Sequence, residues 1–288
     1  MSKGLPRKVR AGWDALIERE GQAMGLSGCR PFLENKLVND IFYEGTFKGV
    51  PCIVKCSSRA PESIANEYRM SRRLAAVDRG VCAEALAKWT SPDGRRAFVV
   101  TRRLAGPSLT DMIAGGVSED EALDIVDDML RIAKALVDAG IVWRDIITDN
   151  FLRDADGHLK LIDAQFAIDR NDFREDPYLL ANWNYRMLLF AHHPMLAGHG
   201  WDDVGMMLRY ASYLPPTRLV KERLERLRAL ERLAVFPVAR SRRDRLRMAC
   251  HLLAMELARC FSFSVRRRHV LRERIGRAKR FITGRPSW

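Results

Sequence analysis

The sequence predicts an α+β protein in which an antiparallel sheet precedes a mainly helical part. Three observations predict it. Short β-like runs punctuated by glycine occupy residues 36–56. A capped, broadly apolar helix fills 118–139. Between Ile141 and Asp169, two short apolar runs flank the turn Ala155-Asp156-Gly157, a hairpin that brings Asp163 back beside Asn150 with Asp145 in the loop before it. At 288 residues, 47% hydrophobic and 30% charged, the chain is long enough for one large domain or two lobes with a real core.

Taken in order, residues 1–35 hold one helix, Trp13 to Ala23, with Trp13, Leu16, Ile17 and Ala23 on a shared face. Lys3, Arg7, Lys8 and Arg10 make the start basic, but Asp14, Glu18 and Glu20 interrupt any apolar run of signal-peptide length. No stretch reaches the roughly eighteen uncharged apolar residues of a membrane span, so a soluble or peripherally attached protein is expected. Cys29, Cys52, Cys56, Cys82, Cys250 and Cys260 form no C-x-x-C pair and no zinc spacing, which predicts buried free thiols in a reducing compartment.

The runs LVNDIFYEG, TFKG and VPCIVKC read as strands, with Glu44-Gly45 and Lys48-Gly49 as turns and Lys55 closing the third. Arg59-Ala60-Pro61-Glu62 opens a helix to about Ala76, on which Glu67 shares a face with Ile64 and Ser71. A turn around Pro92-Asp93-Gly94, within Trp89 to Arg95, precedes the strand Arg96 to Thr101. Gly106 and Pro107 break the chain, and Ser108 caps a short helix, Leu109 to Ala114. Ser118-Glu119-Asp120-Glu121 is a capping box, and Gly140 stands just past the end of the helix it starts.

Further on, Tyr178 to Phe190 is a helix candidate. His192, His193 and His199 with Asp202 and Asp203 do not read as a metal site, because Pro194 and the glycines leave no i, i+4 ligand pair; the histidines read as loop residues. The tail predicts three helices: Leu219 to Leu233 with Leu224, Leu227, Leu230 and Leu233 on one side, Arg242 to Phe263, and Val265 to Ile282. Of the net charge of +13, residues 217–288 carry 21 Lys and Arg against 6 Asp and Glu, leaving the rest near neutral. Basic amphipathic helices fit an anionic membrane surface, where each Lys or Arg contributes roughly 1 kcal/mol. Nucleic acid phosphates are the weaker alternative for the same helices.

Asp145, Asn150 and Asp163, with Lys55 and Glu67 upstream, resemble the site residues of the protein-kinase-like superfamily. W-R-D-I-I-T-D-N stands for H-R-D-L-x-x-x-N, Asp163-Ala164-Gln165 for D-F-G, and P-C-I-V-K for V-A-I-K. Trp143 replaces the loop histidine, Ile147 a frequent lysine, and Ala164-Gln165 the Phe-Gly; no G-x-G-x-x-G lies in 38–49 and no A-P-E follows Asp163. The resemblance implies a two-lobed kinase-like fold: 1–104 as an N-terminal helix and nucleotide-binding lobe, 105–216 as the catalytic core of the second lobe, and 217–288 as its basic helical end.

It also implies the roles and cofactors, ATP and Mg2+. Asp145 would be the base, Asn150 and Asp163 the magnesium ligands, and Lys55, fixed by Glu67, the phosphate grip; backbone groups of Arg102, Arg103 and Leu104 would hold adenine. The small size, the missing A-P-E, the basic tail and the run Asn66-Glu67-Tyr68-Arg69 are most similar to the bacterial lipopolysaccharide core heptose and Kdo kinases. That implies a lipid-linked or other acidic acceptor, and a cytoplasmic protein peripheral at the inner membrane. A protein Ser/Thr kinase and a non-catalytic pseudokinase are the alternatives.

Overall fold

A computed structural model describes residues 7–35, 40–58, 61–171, 196–197, 200–234 and 236–237. The chain is a mixed α+β protein with an antiparallel five-stranded sheet. It divides into two compact units: the first takes the chain up to Pro107 together with Phe151–Ala167, the second takes Ser108–Asn150 and the chain from Ile168 onward.

In the first unit, α1 (Arg7–Leu16) runs through a π turn (Ile17–Gly21) into α2 (Gln22–Met24). The sheet is built from β1 (Leu26–Asn35), β2 (Asp40–Phe47), β3 (Val50–Ser57), β4 (Ala85–Thr90) and β5 (Ala97–Arg102), in the order β1-β2-β3-β5-β4. Between β3 and β4 runs α3 (Pro61–Val77). Strand residues alternate between faces. Cys52, Val54, Cys56, Phe98 and Val100 therefore pack with Trp13, Leu16 and Ile17 on one side, while Ala97 and Val99 meet Ile64 of α3 on the other. Each Val, Ile or Phe so buried contributes roughly 1.5–3 kcal/mol. Lys55, between Val54 and Cys56, thus points to the side that α3 covers.

Several expectations are corrected here. Glu44-Gly45 is no turn: both lie inside β2, paired with Ile53 and Cys52. Gly45 is needed because β1 passes so close that a Cβ would sit 2.9 Å from both Ser27 O and Cys29 Sγ. The bend comes at Lys48-Gly49, both at positive φ, as the sequence predicts. β1 was not among the expected strands, and Trp89 belongs to β4 rather than to the turn after it. Ala23 is exposed, because the π turn rotates the last helical residues and puts Gly21 inward instead.

The hairpin β7 (Phe151–Arg153) and β8 (Leu159–Leu161) turns at Ala155-Asp156-Gly157, with Gly157 at positive φ. Gly106 lets it approach: its N–H donates to Arg153 O at 2.9 Å, and any Cβ there would collide with that oxygen. Cys52, Cys56 and Cys82 are buried free thiols and Cys29 is partly buried; burial pushes Cys52 and Cys82 up to about 12.

The second unit holds α4 (Leu109–Gly115) and α5 (Glu119–Ala139), each opened by a complete capping box, at Ser108/Asp111 and Ser118/Glu121. Gly140 closes α5 in the left-handed conformation at φ 63°. β6 (Ile141–Val142) pairs with β9 (Ile168–Asp169); β10 (Leu196–Ala197), β11 (Gly200–Trp201) and β12 (Phe236–Pro237) form a small sheet. α6 (Asp203–Ala211) and α7 (Arg218–Ala234) follow, and α7 packs on α5 and α6.

The inward side of α7 is Val220, Leu227 and Ala234, whereas Leu233, expected on that side, is 57% exposed. Four leucines at three-residue steps drift off a 3.6-residue face; Val220, Leu227 and Ala234, seven apart, stay on it. The helix candidate 178–190, His192, His193, His199 and the helices expected over 242–263 and 265–282 lie outside the described residues.

Candidate active site

β3 and α3 bring the first group together. Lys55 Nζ lies 3.0 Å from Glu67 Oε2 and 2.8 Å from Asp163 Oδ1. Lys55 and Glu67 are almost wholly buried, while Asp163 keeps 27% of its side chain exposed. One carboxylate thus fixes the ammonium from the core and the other presents it to solvent. A buried charge is tolerated only when it is paired in this way. Phe42, opposite Lys55 in the strand pairing, adds its ring 5.8 Å from the ammonium.

Asp163 adopts a left-handed conformation, φ 66° and ψ 67°, just ahead of a 3-10 turn, Ala164–Phe166. A non-glycine residue holds this strained geometry only where its surroundings impose it. Asn66, the neighbour of Glu67 on α3, imposes it here: its Nδ2 donates to Gln165 O at 3.0 Å and to Ala167 O at 2.8 Å. Arg69 donates to Asn66 Oδ1 at 2.9 Å and fixes which way the amide points. Gln165 Nε2 donates to Asp163 Oδ2 at 3.4 Å. The glutamine that stands where the resemblance has glycine therefore helps hold the nearby aspartate.

The second group is in the other unit. Asn150 Nδ2 donates to Asp145 O and to Asp145 Oδ2, both at 3.0 Å, so the amide fixes the carboxylate and keeps its own Oδ1 as an acceptor. Trp143 and Ile146, on either side of Arg144 and Asp145, are fully buried and anchor the loop while Asp145 stays half-exposed. Trp143 thus fills core space where the resemblance has a histidine. Arg144, at φ 72°, is held by the structure around it.

Asp203 does that holding. Its carboxylate accepts from Trp143 N at 2.6 Å and Arg144 N at 3.0 Å. Burial pushes its carboxyl up to about 6 against these favourable bonds, and pushes the carboxyl of Asp202 up to about 7, where Oδ1 caps α6 by accepting from Gly205 N at 2.7 Å. In the sequence both aspartates stand out only as candidate metal ligands. Asp202, Asp203 and Gly205 are a legible helix start; the main-chain partners sixty residues upstream are not.

At Arg102 to Leu104 the backbone is partly engaged. Arg102 N donates to Glu84 O at 2.8 Å and Arg103 N to Pro51 O at 3.0 Å. Their side chains pair with Glu84 and Glu44. Two of the N–H groups expected to face adenine are therefore used within the protein, and the carbonyls and Leu104 are what is left for that role.

Among the described residues, no three His, Cys, Asp or Glu side chains lie close enough to hold a metal by themselves. The carboxylate of Asp163 in the first unit and the amide oxygen of Asn150 in the second are each hard oxygen donors of the kind magnesium takes.

Over part of its length this sequence matches known proteins. It is 34% identical over 80 residues to serine/threonine-protein kinase ste20 of Aspergillus oryzae, covering 27% of this chain and 9% of the relative. The same figures hold for the Emericella nidulans protein of that name. It is 29% identical over 91 residues to serine/threonine-protein kinase CST20 of Candida albicans, covering 31% of this chain and 7% of the relative. The chain is similar to serine/threonine protein kinases. It spans less than a tenth of the length of these relatives. No family model matches the chain.

Proposed function

We propose that the chain is an ATP-dependent phosphotransferase of two-lobed, protein-kinase-like architecture that moves the γ-phosphate to a hydroxyl. The observation that carries this reading is the Lys55 ammonium set between buried Glu67 at 3.0 Å and half-open Asp163 at 2.8 Å. A fixed, buried cation presented to solvent beside a carboxylate suits a phosphate chain better than any uncharged ligand. Lys55 would bind phosphate oxygens, and Asp163 and Asn150 are the residues that would hold magnesium, which would supply neutralisation of phosphate charge. Asp145, oriented by Asn150, accepts the proton of the attacking hydroxyl. The carbonyls near Arg102 and Leu104 take the base.

For the acceptor we propose a sugar hydroxyl of a lipid-linked, acidic glycan such as a lipopolysaccharide core. This rests on the Asn66-Glu67-Tyr68-Arg69 resemblance and on the basic tail. Residues 217–288 would bring the enzyme to an anionic inner-membrane surface from the cytoplasmic side. The outward positions of α7 mix Lys221, Arg226 and Arg228 with Glu222 and Glu225, so that attraction falls on the residues beyond it. Among the described residues no helix is long and apolar enough to cross a membrane. The names of the matched relatives favour a second reading, a protein hydroxyl as acceptor.

Incubation with labelled Mg-ATP and a bacterial envelope extract, fractionated into lipopolysaccharide and protein, separates the two. Label in lipopolysaccharide that Asp145→Ala abolishes supports the sugar acceptor, and label in protein bands replaces it with the second reading. Asp145-independent label in either fraction contradicts both.

A further inference from the structure

The first unit contains a cleft of about 590 Å3, within the range of small-molecule sites. Six of its lining side chains are charged: Arg72, Arg79, Arg102 and Lys160 against Glu84 and Asp154. Arg102 is met by Glu84, with Nη2 at 2.9 Å and Nε at 3.2 Å from Oε2. Lys160 lies 2.7 Å from both Asp154 Oδ2 and Asp156 Oδ2. The charge of these two cations is already answered. Arg72 and Arg79 stand apart, since none of the ion pairs or side-chain hydrogen bonds among the described residues involves either side chain.

Arg72 lies within α3, and Arg79 stands in the turn two residues past its end; both line the cleft. Long side chains from such positions can close on one anion between them, and the guanidinium fork matches phosphate oxygens two at a time. Between the arginines the cleft is lined only by Ala75 and Ala76, small enough to leave the space open. An ordinary solvated helix face has neither the cavity nor this sorting of answered from unanswered charge.

We propose that this cleft binds a phosphate-bearing small molecule, with Arg72 and Arg79 gripping the phosphate and Ala75, Ala76 and Leu104 packing against the rest. The site is separate from the Lys55 group and does not depend on the reading of that group as catalytic. Because α3 also carries Asn66 and Glu67, an occupant bears on the helix that fixes Lys55.

Inorganic pyrophosphate without magnesium, titrated calorimetrically into the full chain, tests the proposal. Binding should weaken at least about tenfold in Arg72→Glu/Arg79→Glu, because the substitutions remove two charge-assisted hydrogen-bonding groups, and stay at the wild-type affinity in Lys55→Met/Glu67→Leu, which removes both buried charges together. Both arginines are exposed, so the double variant should fold; Arg72→Gln/Arg79→Gln provides the same comparison without added negative charge. The proposal is overturned by absence of pyrophosphate binding at millimolar concentration, by affinity that ignores the arginine pair, or by binding that disappears in Lys55→Met/Glu67→Leu.

Discussion

Lys55 and Asp163, 108 residues apart in the chain, meet at 2.8 Å between Nζ and Oδ1. Glu67 completes the arrangement from the buried side at 3.0 Å. Removing the ammonium leaves a carboxylate that is only 6% exposed without its cation. Lys55→Met should therefore destabilise the protein by about 3–5 kcal/mol. The double variant Lys55→Met/Glu67→Leu, which removes both buried charges, should recover most of that loss. Urea titrations of both variants check it, and equal losses in the two would show that the charge left behind is not the cause.

Asn66 holds the two carbonyls that follow Asp163, so its effect should extend beyond stability. Asn66→Leu leaves Gln165 O and Ala167 O without their donor, at a cost of about 1–3 kcal/mol for each buried acceptor. The left-handed conformation of Asp163 loses its support as well. Magnesium-dependent ATP affinity should fall about tenfold or more, while affinity measured in EDTA changes little. Calorimetry with and without the metal separates the two effects, and parallel losses would assign Asn66 a structural role alone.

Asp202 and Asp203 give the stability a defined pH dependence. Burial raises their carboxyls to about 7 and about 6, against 3.8 for an unperturbed aspartate. Between about pH 4 and 7 the folded protein therefore binds more protons at these positions than the unfolded one. Their contribution favours folding most at the acid end, and is lost as pH rises through the folded values. Asp202→Asn keeps a side chain able to cap α6 and should flatten this part of the profile. Urea midpoints at pH 5, 6, 7 and 8 measure the slope, and an unchanged slope in the variant would refute the assignment.

Much of the fold was legible because local chemistry and tertiary demand agree. The Ser118/Glu121 box, Gly140 and the Ala155-Asp156-Gly157 turn all do in the structure what their residue types specify. Lys55 and Glu67 were readable through the resemblance of P-C-I-V-K to V-A-I-K, with helix spacing placing Glu67 on the Ile64 face of α3. Gly45 misled, because a glycine that admits a neighbouring strand looks in sequence like one that makes a turn. β1 was hidden by Gly28 and Pro31 within LSGCRPFLEN, where register shifts interrupt the pairing with β2. Asp203 was visible, but its partners are main-chain N–H groups, which leave no trace in side-chain spacing. The clamp of Asn66 on Gln165 and Ala167 is hidden for the same reason.

The proposed phosphoryl transfer with Asp145 as base is tested most directly by comparing wild type with Asp145→Asn in one preparation. Mg-ATP affinity is taken by calorimetry, and γ-phosphate transfer is followed in the envelope extract. Affinity should stay within about twofold of wild type while transfer falls at least about 100-fold, the low end for loss of a general base. Wild-type transfer by Asp145→Asn would contradict the proposal.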